Sequence, residues 1–165
     1  MKRLVYLTLF LFVAATACDS GPKSPHETTQ GKDMSVTYGR PYKKGREIFG
    51  KLVPYGQVWR CGADSATVIT FDKDVQFAGK PLKAGTYTLF VIPAENEWTI
   101  ILNSQLGQFG AFEYEHYKNK DVLQALVPVK KTSQVVEQHT IRFTDAGNLI
   151  IEWDQTQVEI PVTAA

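Results

Sequence analysis

Val75–Asn103 reads VQFAGKPLKAGTYTLFVIPAENEWTIILN, and the decisive part is Thr86–Ile92, where β-branched, aromatic and aliphatic side chains occupy successive positions without a break. In an extended chain Tyr87, Leu89 and Val91 point to one face, and Thr88, Phe90 and Ile92 to the other. Both faces are largely apolar, which predicts a central strand covered on both sides. Val75–Phe77, before it, turns back through Ala78, Gly79 and Lys80 as a hairpin. Pro93–Glu97, after it, is a turn into a further strand, Trp98–Asn103. Together these segments form an antiparallel meander.

Outward from this centre, short runs of period-two alternation recur at Ser35–Tyr38, Thr67–Phe71, Leu123–Val129, Gln138–Thr144, Leu149–Asp154 and Val158–Val162. Ala146, Gly147 and Asn148 mark a turn between two of them. Amphipathic helical periodicity is scarce. The pattern predicts an all-β, single-domain antiparallel β-sandwich of about nine or ten short strands with at most one short helix, a jelly roll being one arrangement of it. Trp98, Trp153, Ile141 and Phe143 are its core candidates. Gly107–Lys120 breaks the pattern and reads either as a short helix or as an aromatic-rich loop.

The chain opens with Lys2 and Arg3, an apolar run from Leu4 to Val13 and the small residues Ala14–Ala17, which is the layout of an export signal over residues 1–17. Ala15, Thr16, Ala17 and Cys18 are similar to a bacterial lipobox, whose cysteine is lipidated and becomes the mature N-terminus, although alanine stands where leucine is usual. Ordinary signal-peptidase cleavage after Ala17 is the alternative. Acylation at Cys18 would hold the protein on a membrane, because two or three acyl chains anchor essentially permanently. Asp19–Asp33 has no aliphatic or aromatic side chain and is expected to be a flexible tether reaching about 50 Å when stretched. The expected organisation is a signal peptide (1–17), a lipidated cysteine with its tether (18–33) and the β-sandwich (34–165).

Composition bounds the function. Removing Lys2 and Arg3 with the leader leaves 16 basic and 17 acidic side chains, a balance that points to neither nucleic acid nor an acidic surface as partner. Cys61 is then the single thiol of the mature chain, so no internal disulfide is expected, and a small apolar role in the core suits it. No phosphate-cradling loop, nucleophile elbow or C-x-x-C occurs, and no cofactor is implied. Glu113, Glu115 and His116 are close in sequence but lack the second pair that a di-metal carboxylate site needs.

Tyr38–Asp64, YGRPYKKGREIFGKLVPYGQVWRCGAD, carries Arg40, Arg46 and Arg60, five glycines and several aromatics. It resembles the hallmark of the bacterial domain of unknown function 2911 family. Val75–Pro93, Trp98–Asn103 and LIIEWDQTQVEIPV at 149–162 are similar to that family in the same order. Cys61 departs from the family pattern, in which the position looks like threonine. The resemblance implies no established activity and no site residues.

Read from the residues, Arg40, Arg46 and Arg60 are suited to bidentate contact with a carboxylate or phosphate. They equally suit a role as staples onto backbone carbonyls. Tyr38, Tyr42, Tyr55 and Trp59 could form a stacking platform or cover one end of the core. Alternation in QVWRCG turns Trp59 and Cys61 inward together. The candidate ligand-binding residues are therefore Arg40, Arg46, Arg60, Tyr38, Tyr55 and Asp64. The expected function is an envelope lipoprotein, outer-membrane anchored, that binds a small anionic, glycan or protein partner without catalysis. The alternatives are a hydrolase or isomerase with Asp64 or Glu113 as general base, and a purely structural envelope protein.

Overall fold

The computed structural model describes residues 24–165. Residues 1–23, including the expected signal and Cys18, lie outside the described residues.

The chain is all-β. Strands β1 (His26–Gly31), β2 (Met34–Gly39), β3 (Thr67–Phe71), β6 (Gly85–Ile92), β7 (Glu97–Asn103), β8 (Asp121–Phe143) and β9 (Leu149–Ile160) form one antiparallel sheet in the order β1-β2-β3-β6-β7-β8-β9. The strands β4 (Val75–Phe77), β5 (Lys80–Leu82) and β10 (Val162–Ala164) form a small second sheet, ordered β10-β4-β5. Neighbours in the large sheet follow chain order apart from the β4-β5 excursion, so the sandwich is a curled meander and the jelly roll is not adopted. Ala78 and Gly79, at φ +51° and +74°, make the two-residue loop of the β4–β5 hairpin, the left-handed pair that matches strand twist.

As the alternation predicted, β6 is covered on both faces. Leu89 and Val91 join the main core with Trp98, Trp153 and Ile141, and Val75, Phe77 and Leu82 of the small sheet close that core. Phe143 packs at its margin. On the outer face Phe90 meets Tyr114 at 5.2 Å between ring centres, and Ala66 and Ile101 complete a second cluster. This explains the segment whose character the sequence left open. It is a loop carrying one turn of helix, α1 (Tyr114–Tyr117), followed by a 3-10 turn (Lys118–Lys120), and Tyr114 pins it by donating to Asp121 Oδ2 at 2.7 Å.

Two expectations are corrected. Leu123–Val129 and, apart from Thr144, Gln138–Thr144 belong to one 23-residue strand, β8, which pairs with β7 up to Pro128 and with β9 from Val129 onward. Register shifts at Lys131/Val136 and Val136/Thr140 mark bulges, which bend a strand and increase its twist, so the polar stretch between the two halves turns a corner without ending the strand. Leu149–Asp154 and part of Val158–Val162 likewise merge in β9. The tether expected through Asp33 is also shorter, because His26–Gly31 pairs along its whole length with β2. An edge strand needs backbone partners more than apolar side chains. Here the Thr28 and Thr37 hydroxyls add a 2.8 Å hydrogen bond across the pair.

The bend of β8 rolls the sheet until its far end meets the chain that leaves β2. His139 N–H donates to Pro41 O at 2.9 Å, Lys43 N–H to Glu137 O at 2.7 Å, and Tyr42 bridges Gln138. Tyr38, 1% exposed, accepts from Ile141 N–H at 2.8 Å and donates back to Ile141 O at 3.1 Å. This closure sets the floor and one wall of the site.

Candidate functional site

The segment from Arg40 to Ala66 is held by bridges rather than by strands of its own. β3 pairs with β6 only as far as Leu89, and Trp59 occupies the edge left free beyond it, exchanging two backbone hydrogen bonds of 2.8 and 2.9 Å with Val91. Trp59 and Cys61 then point inward together, at 8% and 0% exposure. Trp59 stacks on Trp153 of β9 at 6.0 Å and 20°, and Phe49 packs edge-on against both. Each indole N–H is held by backbone: Trp59 Nε1 donates to Gly62 O at 3.2 Å and Trp153 Nε1 to Glu137 O at 3.3 Å.

Above these two rings lies a cleft of about 530 Å³. Tyr42, Lys44, Arg46 and Arg60 bring aromatic and cationic groups to it, Leu52 and Val53 an apolar flank, and Asp64 a single carboxylate. Ser24 lines it as well, so the chain enters the described domain at this site.

The three arginines, equivalent in sequence, have different fates. Arg40 is a staple: Nε donates to His139 O at 3.2 Å, one Nη to Thr140 Oγ1 at 3.0 Å, and the other pairs with Glu27. Arg46 lines the cleft while Nε donates to Lys43 O at 3.0 Å and one Nη to Tyr42 O. The Arg60 side chain makes no hydrogen bond and no ion pair among the described residues, although its carbonyl accepts from Thr67 N–H at 3.1 Å, and its Nε is buried without a partner. Burial lowers its pKa and neighbouring Asp64 opposes that shift, yet a guanidinium stays charged. An unpaired buried donor on a charged group carries a desolvation penalty of roughly 1–3 kcal/mol or more. Nε itself is enclosed, whereas the two Nη groups are neither bonded among the described residues nor buried, and they are the donors an anion in the cleft would meet.

Of the other candidates, Asp64 lines the cleft in a left-handed conformation (φ +61°) and accepts from His26 Nε2 at 3.3 Å. Tyr38 is in the core, and Tyr55 stands outside the cleft over Gly50, so the aromatics of Tyr38–Asp64 do not make one platform. Tyr42 and Trp59 alone of that group reach the site. Trp153 and Lys44 belong to it too, and Trp153 arrives from β9, a placement no local pattern announces.

The geometry is poor for thiol chemistry. Cys61 is fully buried, and burial pushes its thiol pKa far up, away from the thiolate a nucleophile needs. Glu113 does not line the cleft, and Glu115 pairs with Lys118 at 3.6 Å. Among the described residues no group of three or more His, Cys, Asp or Glu side chains converges to hold a metal.

Comparison with known proteins matches residues 20–162 to the family model described as Protein of unknown function (DUF2911). The chain belongs to this family. No curated protein and no solved structure matches it. The DUF2911 match begins before β1 and ends at the first residue of β10, so it takes in the cleft and both sheets.

Proposed function

We propose that this DUF2911 protein is a bacterial envelope lipoprotein, exported by residues 1–17 and acylated at Cys18, whose β-sandwich binds a small anionic ligand without transforming it. The observation that carries the binding reading is Arg60, an unpaired, partly buried guanidinium facing a cleft that also holds Lys44 and Arg46 against one carboxylate, Asp64. The ligand takes its charge to Arg60 and Arg46 through a carboxylate or phosphate, and lays its less polar part over the Trp59–Trp153 floor. The outer membrane is the proposed location.

Calorimetric titration with inorganic phosphate, citrate and small phosphate esters tests the site. At least one is expected to bind wild type, and Arg60→Gln is expected to weaken it by about 2 kcal/mol or more, roughly thirtyfold, since a desolvated charge-assisted partner is lost. Equal affinity in Arg60→Gln would remove the cleft from consideration. The anchor has its own test: radiolabelled palmitate is expected in the wild-type protein and absent from Cys18→Ala, and labelling of both would sink it.

Asp64 supports a second reading, a hydrolase or isomerase using it as general base, because it lines the cleft beside Arg60. Turnover of a bound phosphate ester or carboxylate ester that Asp64→Asn abolishes, with binding retained, would establish that reading over the first.

A further inference from the structure

We propose that the anion taken by the cleft is the phosphate of a membrane lipid whose headgroup is net anionic, and that Phe112 and Leu52 beside it enter the acyl-chain region. The inference rests on the anion-binding and anchoring readings above and goes beyond them in naming the ligand class and the surface.

Arg60 is shared by two hollows. On one side is the basic cleft, and on the other an apolar groove of about 280 Å³ that brings together Leu52, Val58, Trp59, Ala111 and Phe112. A single molecule filling both must place negative charge at Arg60 and hydrocarbon at Leu52 and Phe112, which is the chemistry of an amphiphile. The large side chains here are displayed, not buried: Phe112 is 82% exposed, Phe109 62% and Leu52 45%. Phe109 and Phe112 ride on a loop fixed to the cleft's rim, where Phe109 bridges Ser65 and Gly110 N–H donates to Asp64 O at 3.0 Å. Gly110, at φ +67°, makes the turn between the two rings. Leu52 and Phe112, exposed and lining one groove, form the kind of apolar display that marks an interaction surface.

Chain length commits the surface to lipid. Ser24 lines the cleft and Cys18 precedes it by six residues, which span at most about 22 Å. An acyl anchor at Cys18 therefore holds this end of the domain within that distance of the bilayer, because β1 takes up residues that a longer tether would need. Lys44, Arg46 and Arg60 against Asp64 give the same end the sign that anionic headgroups attract. Glu113, next to Phe112, confines insertion to the loop tip.

The test uses the acylated protein, palmitate incorporation verified, reconstituted into vesicles of phosphatidylcholine alone or with phosphatidylglycerol. A nitroxide on Phe112→Cys reports depth, since Cys61 is buried and Cys18 acylated. Oxygen accessibility is expected to rise and nickel-chelate accessibility to fall in the phosphatidylglycerol vesicles, and Arg60→Gln is expected to reduce the change severalfold. A label that stays open to the nickel chelate in both vesicles overturns the proposal, and so does one shielded from both quenchers, which would mean contact with a second protein molecule. Titration of inorganic phosphate in the same preparation separates the readings. Phosphate binding with an aqueous label leaves the anion site standing and removes the lipid, whereas neither binding nor insertion removes both.

Discussion

Gly39→Ala is expected to destabilise the fold by about 3 kcal/mol or more, the upper range for forcing an extra carbon into packed structure. A methyl group at Gly39 would lie 2.3 Å from Ala63 O and 3.0 Å from Ala63 N, all backbone atoms that cannot rotate away. Gly62 packs from the other side, its own added carbon 3.0 Å from Gly39 O. This is the point at which the end of β2 crosses the wall of the cleft, so the substitution would also displace Ala63 and Asp64. Gly79→Ala is the control: beyond its chain neighbours no atom lies within 4 Å of its added carbon, and only the left-handed φ of +74° opposes it, at roughly 1–2 kcal/mol. Urea unfolding of the two variants checks the order, and a Gly39→Ala protein as stable as Gly79→Ala would contradict the packing described.

Acid is expected to destabilise the protein through His139. Its ring is fully buried among Tyr38, Trp59 and Trp153, stacked on Trp153 at 5.7 Å, and neither ring nitrogen has a partner. Burial first, and Arg40 second, push its pKa from 6.5 down to about 3. The sign follows from proton counts. Above the unfolded value both states are neutral and nothing is lost. Between about pH 6.5 and 3 the unfolded chain takes a proton that the folded one refuses, so stability falls as pH falls, by about 1.4 kcal/mol per unit. Near pH 5 the loss is roughly 2 kcal/mol, and it should be missing from His139→Leu when the two proteins are unfolded in urea at neutral pH and at about pH 5. Equal acid sensitivity in both would show that His139 is protonated in the fold.

Local pattern carried much of this. Alternation in QVWRCG predicted Trp59 and Cys61 turning inward, and the two-faced apolar run of Thr86–Ile92 predicted a covered central strand. Both depend on side-chain period, which is a property of a few consecutive residues. The roles of Arg40 and Arg60 were not legible in that way. Arg40's acceptors, His139 O and Thr140 Oγ1, lie 99 and 100 residues downstream, and they reach it only because β8 bends. The early end of the tether was hidden for a related reason. β1 is ordered by backbone pairing with β2 and by a polar cross-strand contact, and neither leaves a hydrophobic trace in His26–Gly31.

By itself the chain determined its family, through motifs spread from Tyr38 to Val162, and its class, through the period of its apolar side chains. The cleft was decided by tertiary structure alone. It exists because bulges in β8 roll the sheet until Trp153 comes under Trp59, and because Arg40, unlike Arg60, then finds acceptors on the far strand. Strand period is written in neighbouring residues. Which guanidinium is left facing a cavity depends on where distant backbone carbonyls end up, and that is settled only when the sheet closes.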